Sequence, residues 1–455
     1  MMRDPGRAGR WTLVLAATAM LALAWSGPEA AIAATKPRAV MIVPFDASAL
    51  DPEERWVGEG VEEILGLGLA QHPAFVQVDR ARMRSVGRVE AWGEPVVVQT
   101  ARALHVDAAL FGRIERKEGD YVIQPRLLEI KGGGGEPIAL DPIIVAPADL
   151  LVKLATLPGI YARTLKVPLT DAEAKKMDKA ALPTRSLKAF EHYARGTMAM
   201  AQKPGQDGNE AAADLLARAI EVDPNFVVAH YTMGIVHQEL GNRWKAAAQF
   251  RASIQLDGTY PESHKALGDL FLAAPRRLFD QAVEAYEKAI LLRPFYAEAW
   301  VGLGEAKAAK GDVDGAVGAY TKALNYNPIN PRVHMSLGKI YYAEKGLYYE
   351  SVTAYKKAIE LDPASVEARM GLGEVFEDKG LYKEAMEEYK RVIELDGKHT
   401  GAMYNLALVY EKVDPKEAVA QWERYIALAS QLPSEKDWVD VARQHLRKLK
   451  SQIKD

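Results

Sequence analysis

The sequence predicts a small α/β sandwich with a mixed sheet, followed by an all-α superhelix, a solenoid of stacked helix pairs. Three observations carry this reading. Small and aromatic residues recur every 34 residues through the carboxyl-terminal half. Over residues 36–166, apolar runs of strand length alternate with helical patterns. That front stretch does not share the 34-residue period, so the two patterns belong to separate modules.

Residues 1–33 read as a secretory signal peptide rather than as part of the fold. Arg3, Arg7 and Arg10 precede the apolar run "WTLVLAATAMLALAW" (11–25), and Ala31 and Ala33 form a small-residue cleavage site. The run is shorter than the roughly 20 residues a spanning helix needs. An uncleaved anchor is the alternative. With cleavage near Ala33 the mature chain is expected in the periplasm, with no spanning segment. The sequence has no Cys, which excludes a disulfide framework and a lipid-acceptor cysteine. Taking the three basic and two acidic residues of 1–33 from totals of 58 and 61 leaves 55 against 59, a net charge of -4. Such near neutrality argues against a general nucleic-acid binder.

In the front module, 36–166, "AVMIVPF" (39–45) suits a strand covered on both faces, and a helical pattern runs from about Glu53 to Ala70. "FVQVD" predicts a second strand and "VVVQTARALHV" a second helix. "DAALFGRIERKEGDYVIQPRLLEI" predicts a hairpin turning at Glu118-Gly119-Asp120. Pro125 marks its second strand as an edge or a bulge. "GGGG" (132–135) is a loop, "PIALDPIIV" a fifth strand, and "ADLLVKLATLPGIYARTL" one closing helix. A linker is expected over 167–186.

About seven repeat units follow, over 187–432. In 297–330 the period places Trp300, Leu303, Gly304, Gly311, Ala316, Tyr320, Ala323 and Pro328. In 366–399 it places Leu372, Gly373, Gly380, Ala385, Tyr389 and Val392 in the same slots. Units at 227–260, 261–296 and 331–365 keep the pattern, the second stretched around Pro275. The flanking units, 187–226 and 400–432, keep it imperfectly. Small residues let the two helices of a unit approach while Leu and Tyr fill the space around them. Proline ends the second helix because it lacks the donor and clashes with the preceding turn. One unit cannot bury its own apolar face, so units stack and build a concave wall. Residues 433–455 read as a solvating helix that caps the array, with Trp438, Val441, Leu446 and Leu449 inward.

These slots identify the repeats as similar to tetratricopeptide repeats. The segments "AVMIVPFDAS", "WVGEGVEEILGLGLAQHPAFVQVDRARM" and "ARALHVDAALFGRIERKEGDYVIQPRLLEI", followed by repeats, resemble exported proteins that join a TolB amino-terminal-like or FlgO-like domain to such repeats. The chain departs from that pattern at "GGGGEP", where a short turn and strand are usual. The resemblance implies a binding domain of the cell envelope and no chemistry. Similar architectures occur in trans-envelope machines for secretion, uptake and motility.

A search for chemistry names no catalytic residues, no cofactor-binding motif and no metal site. "WVGEGVEEILGLGLA" lacks G-x-x-x-x-G-K-[ST] and the register of G-x-G-x-x-G, so its glycines read as a helix start packed on the sheet. His230 and His237 are seven residues apart, too far for a shared metal at i, i+4. His230, His264 and His334 occupy the fourth slot of their units, where Trp300 stands in its own, and read as packing residues. There is neither a Cys nucleophile nor G-x-S-x-G.

The concave wall is the functional candidate. First-helix slots 2, 5, 9 and 12 face it, which selects Tyr231, Ile235, Lys265, Asp269, Val301, Glu305, Met335, Lys339, Tyr342, Met370, Glu374, Tyr404, Leu408 and Glu411. This mixture of aromatic, apolar and charged side chains suits a peptide or helix laid along a groove. The Lys and Asn that clamp a free carboxyl terminus are missing, since Lys265 is followed by Asp269. The expectation is a non-enzymatic periplasmic adaptor that binds protein or peptide partners, including inner- or outer-membrane proteins. The alternative is an envelope receptor whose front domain binds a small molecule or glycan and signals through the repeats.

Overall fold

Apolar runs bounded by turn residues become the strands of one mixed sheet. The computed structural model describes residues 36–78, 82–83, 92–130, 135–276 and 278–453. The signal peptide expected over 1–33 and most of "GGGG" lie outside them. The strands are β1 (Arg38–Ile42), β2 (Phe75–Gln77), β3 (Ala108–Lys117), β4 (Asp120–Glu129), β5 (Ile138–Ala139) and β6 (Ile143–Val145), in the order β2-β1-β3-β4-β5 with β6 also on β4. β1 runs parallel to β2 and β3, and the remaining pairs are antiparallel. Parallel neighbours need crossovers. Helices α1 (Trp56–Leu69) and α2 (Glu94–Ala103) lie on the two connections.

The hairpin turns where expected. Glu118 and Gly119 both have positive φ, 53° and 93°, as a two-residue turn matched to the strand twist requires. Pro125 pairs regularly with Gly112 on the inner side of β4, and the irregularity lies on its outer side. Its carbonyl accepts from the Leu140 amide, so its missing N–H faces the outer neighbours. The outer pairing breaks there, and the single fifth strand expected is two short ones, β6 on 121–123 and β5 on 126–127. The closing helix is likewise two, α3 (Leu150–Leu154) and α4 (Leu157–Thr164), with Pro158 starting the second. Nor is the expected linker irregular. It holds α5 (Asp171–Ala180), begun by a capping box of Thr170 and Glu173, with Met177 fully buried.

The remaining helices come in pairs at the expected period. They are α6 (Leu187–Gln202) and α7 (Gln206–Val222), α8 (Val227–Glu239) and α9 (Arg243–Leu256), α10 (Pro261–Leu272) and α11 (Phe279–Leu292), and α12 (Ala297–Ala309) and α13 (Val313–Tyr326). Then follow α14 (Pro331–Ala343) and α15 (Tyr348–Leu361), α16 (Val366–Asp378) and α17 (Tyr382–Leu395), α18 (Thr400–Val413) and α19 (Pro415–Ala429), and the last helix α20 (Lys436–Gln452).

The chain divides into two compact units, 1–263 and 264–455. The division falls within the repeats rather than ahead of them. In the first unit a single apolar core runs from the sheet through α1 into α6, α7 and α8. A chain of rings marks its path: Trp56 to Phe190 at 6.3 Å, Phe190 to Tyr193 at 5.8 Å, Tyr193 to Phe226 at 5.2 Å. Gly60 permits the contact, since a Cβ there would stand 2.9 Å from the Phe190 ring. Gly58 sits closer still, where a Cβ would meet the Phe45 carbonyl oxygen at 2.2 Å, so both glycines serve packing.

In the second unit, Tyr286, Tyr320, Tyr355 and Tyr389 of four second helices fill space left by glycines. A Cβ on Gly304 would lie 2.7 Å from Tyr320, and one on Gly302 2.3 Å from Tyr286 of the preceding pair. The α20 stripe is shifted by one residue from the expected start. Val439, Ala442 and Leu449 are buried, while Trp438 is 55% exposed. The helical spacing 439, 442, 446, 449 gives a straighter stripe than one begun at 438.

Candidate functional site

In four of the units the fourth slot, held by His230, Trp300, His334 or Arg369, is a hydrogen-bonding position rather than simple packing. Trp300 Nε1 donates to the Pro294 carbonyl at 2.8 Å, and Arg369 Nη2 to that of Pro363 at 3.0 Å. His230 and His334 place Nε2 at 3.1 and 3.3 Å from the carbonyls of Pro224 and Pro328. Each partner lies six residues earlier, after the preceding second helix, where carbonyls lose their helical donors. What His, Trp and Arg share is an N–H at the right reach.

The fourteen selected residues separate by environment. In the first unit, Tyr231 packs at 6.0 Å from Phe250 and 5.6 Å from Tyr260, and Ile235 is half-buried. The others belong to the second unit. Lys265 Nζ pairs with Asp269 at 2.7 Å, and Asp269 accepts from the Tyr286 hydroxyl at 2.8 Å. Arg332 reaches Glu305 at 2.6 Å, yet burial, the leading cause, holds the Glu305 carboxyl above its usual range. These charges are engaged within the chain. Val301 is buried and Met335 packs beside an apolar core.

At the far end, α20 takes over the wall. The Tyr404 ring lies 5.0, 5.4 and 5.4 Å from Trp422, Tyr425 and Trp438, and Leu408 packs into the same core. Glu411 accepts from Trp422 Nε1 at 2.7 Å and lies 2.8 Å from His445 Nδ1. The expectation that Tyr404 and Glu411 line an open groove is corrected: the last helix engages them.

Four of the selected residues meet in one place. Lys339 and Tyr342 of α14, and Met370 and Glu374 of α16, line a cleft of about 690 Å³. Behind them the Tyr355 ring fits against Gly371, where a Cβ would stand 2.5 Å from it. The Tyr342 hydroxyl donates to Asp378 at 2.6 Å, and its ring meets Tyr348 edge-on at 5.8 Å. Desolvation foremost, then Glu377 and Asp378, raise the Glu374 carboxyl above its usual range. Glu377 is raised chiefly by burial, although the Tyr389 hydroxyl donates to it at 2.8 Å.

Slot counting missed Glu367, Asp396 and His399, which also line the cleft. Glu367 holds slot 2 and was within reach of the same periodicity. Asp396 and His399 come from the turn after α17, and only the folded chain brings that turn beside α16. Among the described residues, no group of three or more His, Asp or Glu is placed to hold a metal ion. Nor is any helix there long and apolar enough to cross a membrane.

Comparisons with known proteins follow the same lines. Residues 304–344 and 342–380 match a family model described as TPR repeat, and residues 366–399 one described as Tetratricopeptide repeat. The protein O-mannosyl-transferase TMTC1 of Mus musculus is 24% identical over 156 residues, 33% of this chain and 16% of its own length. The putative adenylate cyclase 3 of Rhizobium meliloti (strain 1021) is 24% identical over 257 residues, 54% of this chain and 42% of its own. The chain thus spans less than half the length of either curated relative. Among solved structures, YrrB, described as a TPR protein with an unusual peptide-binding site, is 22% identical, with 44% of this chain and 99% of that one covered at a TM-score of 0.38. PilF of Pseudomonas aeruginosa is 15% identical, with coverages of 50% and 97% and a TM-score of 0.42. With helix pairs at the expected slots and family models matching 304–399, the chain carries tetratricopeptide repeats.

Proposed function

We propose that this protein is a non-enzymatic adaptor of the periplasm that grips a protein or peptide partner on the inner wall of its repeats. The observation that carries the reading is the cleft between α14 and α16. An aromatic hydroxyl, a thioether and two charged side chains converge there around 690 Å³ of open space. Such a mixture suits recognition of an extended or helical segment by a few anchors. Export rests on the basic, apolar and small-residue pattern of residues 1–33. The front module, read as TolB amino-terminal-like or FlgO-like, would hold the adaptor to a second envelope component. Assembly of a trans-envelope machine, such as a secretion or motility apparatus, is the process this arrangement would serve.

The test is crosslinking and affinity capture from the protein's own cells, with fractionation, beside a Tyr342→Ala/Met370→Ala variant. Partners held by the intact chain in the periplasmic fraction and lost with the folded variant are the expected result. If the same partners remain on the variant, the groove assignment fails. Recovery of the chain in the cytoplasm would remove the envelope role.

A further inference from the structure

We propose that the cleft between α14 and α16 selects a peptide segment that presents a lysine or arginine beside an apolar side chain. This rests on the adaptor reading and names the chemistry of its partner. The cleft's floor is apolar: Met370, Ala343 and the Tyr355 ring against Gly371. Its rim is acidic, with Glu367, Glu374 and Asp396 set against the one ammonium of Lys339.

Lys412 acts on Glu377, and three other neighbouring cations are committed elsewhere. Arg369 Nη1 lies 2.9 Å from Glu388, Lys345 Nζ 2.6 Å from Asp314, and Lys379 Nζ 3.3 Å from the centre of the Tyr348 ring. Among the described residues no cation reaches salt-bridge distance of Glu374, and Glu377 and Asp378 add like charge beside it. The Tyr389 and Tyr342 hydroxyls donate to Glu377 and Asp378 and so orient those carboxylates, but a hydroxyl does not neutralise them. An incoming ammonium or guanidinium would supply the missing charge, and partial desolvation makes that attraction stronger than it would be in open water. The unbranched Met370 side chain adapts to the apolar neighbour. An acidic segment or a free carboxyl terminus would meet repulsion instead.

A library of random dodecapeptides displayed on phage, panned on the whole chain, tests this. The expected result is enrichment of Lys and Arg next to Leu, Ile, Met or aromatic residues. Selected peptides, made synthetically, should bind Glu374→Gln about fivefold more weakly and Lys339→Glu about threefold more tightly. They should lose affinity for Met370→Ala as well. Lys339 is exposed and Glu374→Gln keeps the side chain's shape, and melting curves establish that all variants fold. Neutral or acidic peptides that still depend on Met370 would overturn the cation preference and leave the groove in place. Peptides indifferent to Met370, Tyr342 and Glu374, or no enrichment at all, would overturn the groove reading and this proposal with it.

Discussion

The two compact units bury their apolar residues in different ways. In the first, one core joins the sheet, the helices on it, the first helix pair and α8, so that Phe190 of the repeats lies against Trp56 of the α/β module. In the second, the described cores are separate clusters, one around Tyr286 and Leu303, another around Tyr320 and Leu337, and a larger one from Tyr355 to Leu449. A joined core unfolds as a unit. A series of clusters behaves as a sum of neighbouring terms. Repeat architecture alone therefore does not settle cooperativity, which follows from what each pair packs against.

The sharpest way to break this comparison is Phe190→Ala. Removing a fully buried ring should cost about 3–5 kcal/mol. Hydrogen exchange should then accelerate together in β1, α1, α6 and α7. If only α6 and α7 respond, the shared core does not act as one. Next in size, Ala316→Leu overfills the contact between α12 and α13 and should cost about 1–3 kcal/mol. Exchange should rise within α12 to α14 and stay unchanged in the first unit; a loss of protection there would contradict the cluster picture.

Thr170→Ala removes the capping box of α5 and should cost about 1 kcal/mol, read as a lowered urea midpoint of the first unit. No change at all would mean that α5 adds nothing to the stability of the first unit. The smallest effect expected is one of sign. In the first unit His72, His192 and His237 are held below the usual histidine range, chiefly by burial. Their contribution is present above the unfolded value of 6.5 and is lost as pH falls through the lowered folded values. In the second unit burial raises the carboxyls of Glu305, Glu374 and Glu377, so the folded chain takes up protons before the unfolded one. Acidification towards the unfolded value of 4.5 relieves that cost, and His334 opposes part of the gain. Between pH 7 and 5 exchange protection, corrected for intrinsic rates, should fall in the first unit and rise around α16. Glu374→Gln should reduce the rise; equal responses in both units would refute the contrast.

Much of the architecture was legible because its signals are local. Gly304 and Tyr320 stand at a spacing that only paired helices satisfy, and Glu118-Gly119 suits a turn with two positive φ values. Less of the site was legible. Slot counting placed Lys339, Tyr342, Met370 and Glu374 on one wall, and they do line one cleft. The same count placed Lys265 there, although its ammonium pairs with Asp269 one turn on, and Tyr404, although α20 meets it. A slot states which way a side chain leaves its helix; it does not state what will be there.

By itself the sequence determined the helix pairs, their period, the mixed sheet and its hairpin, because backbone preference and apolar spacing act over a few residues. Tertiary structure alone decided that Phe190 closes the first unit's core, that Pro125 splits the outer strand, and that Asp396 and His399 join the cleft. Those outcomes depend on groups distant in the chain meeting in space, where the gain from shared burial outweighs what either segment prefers alone.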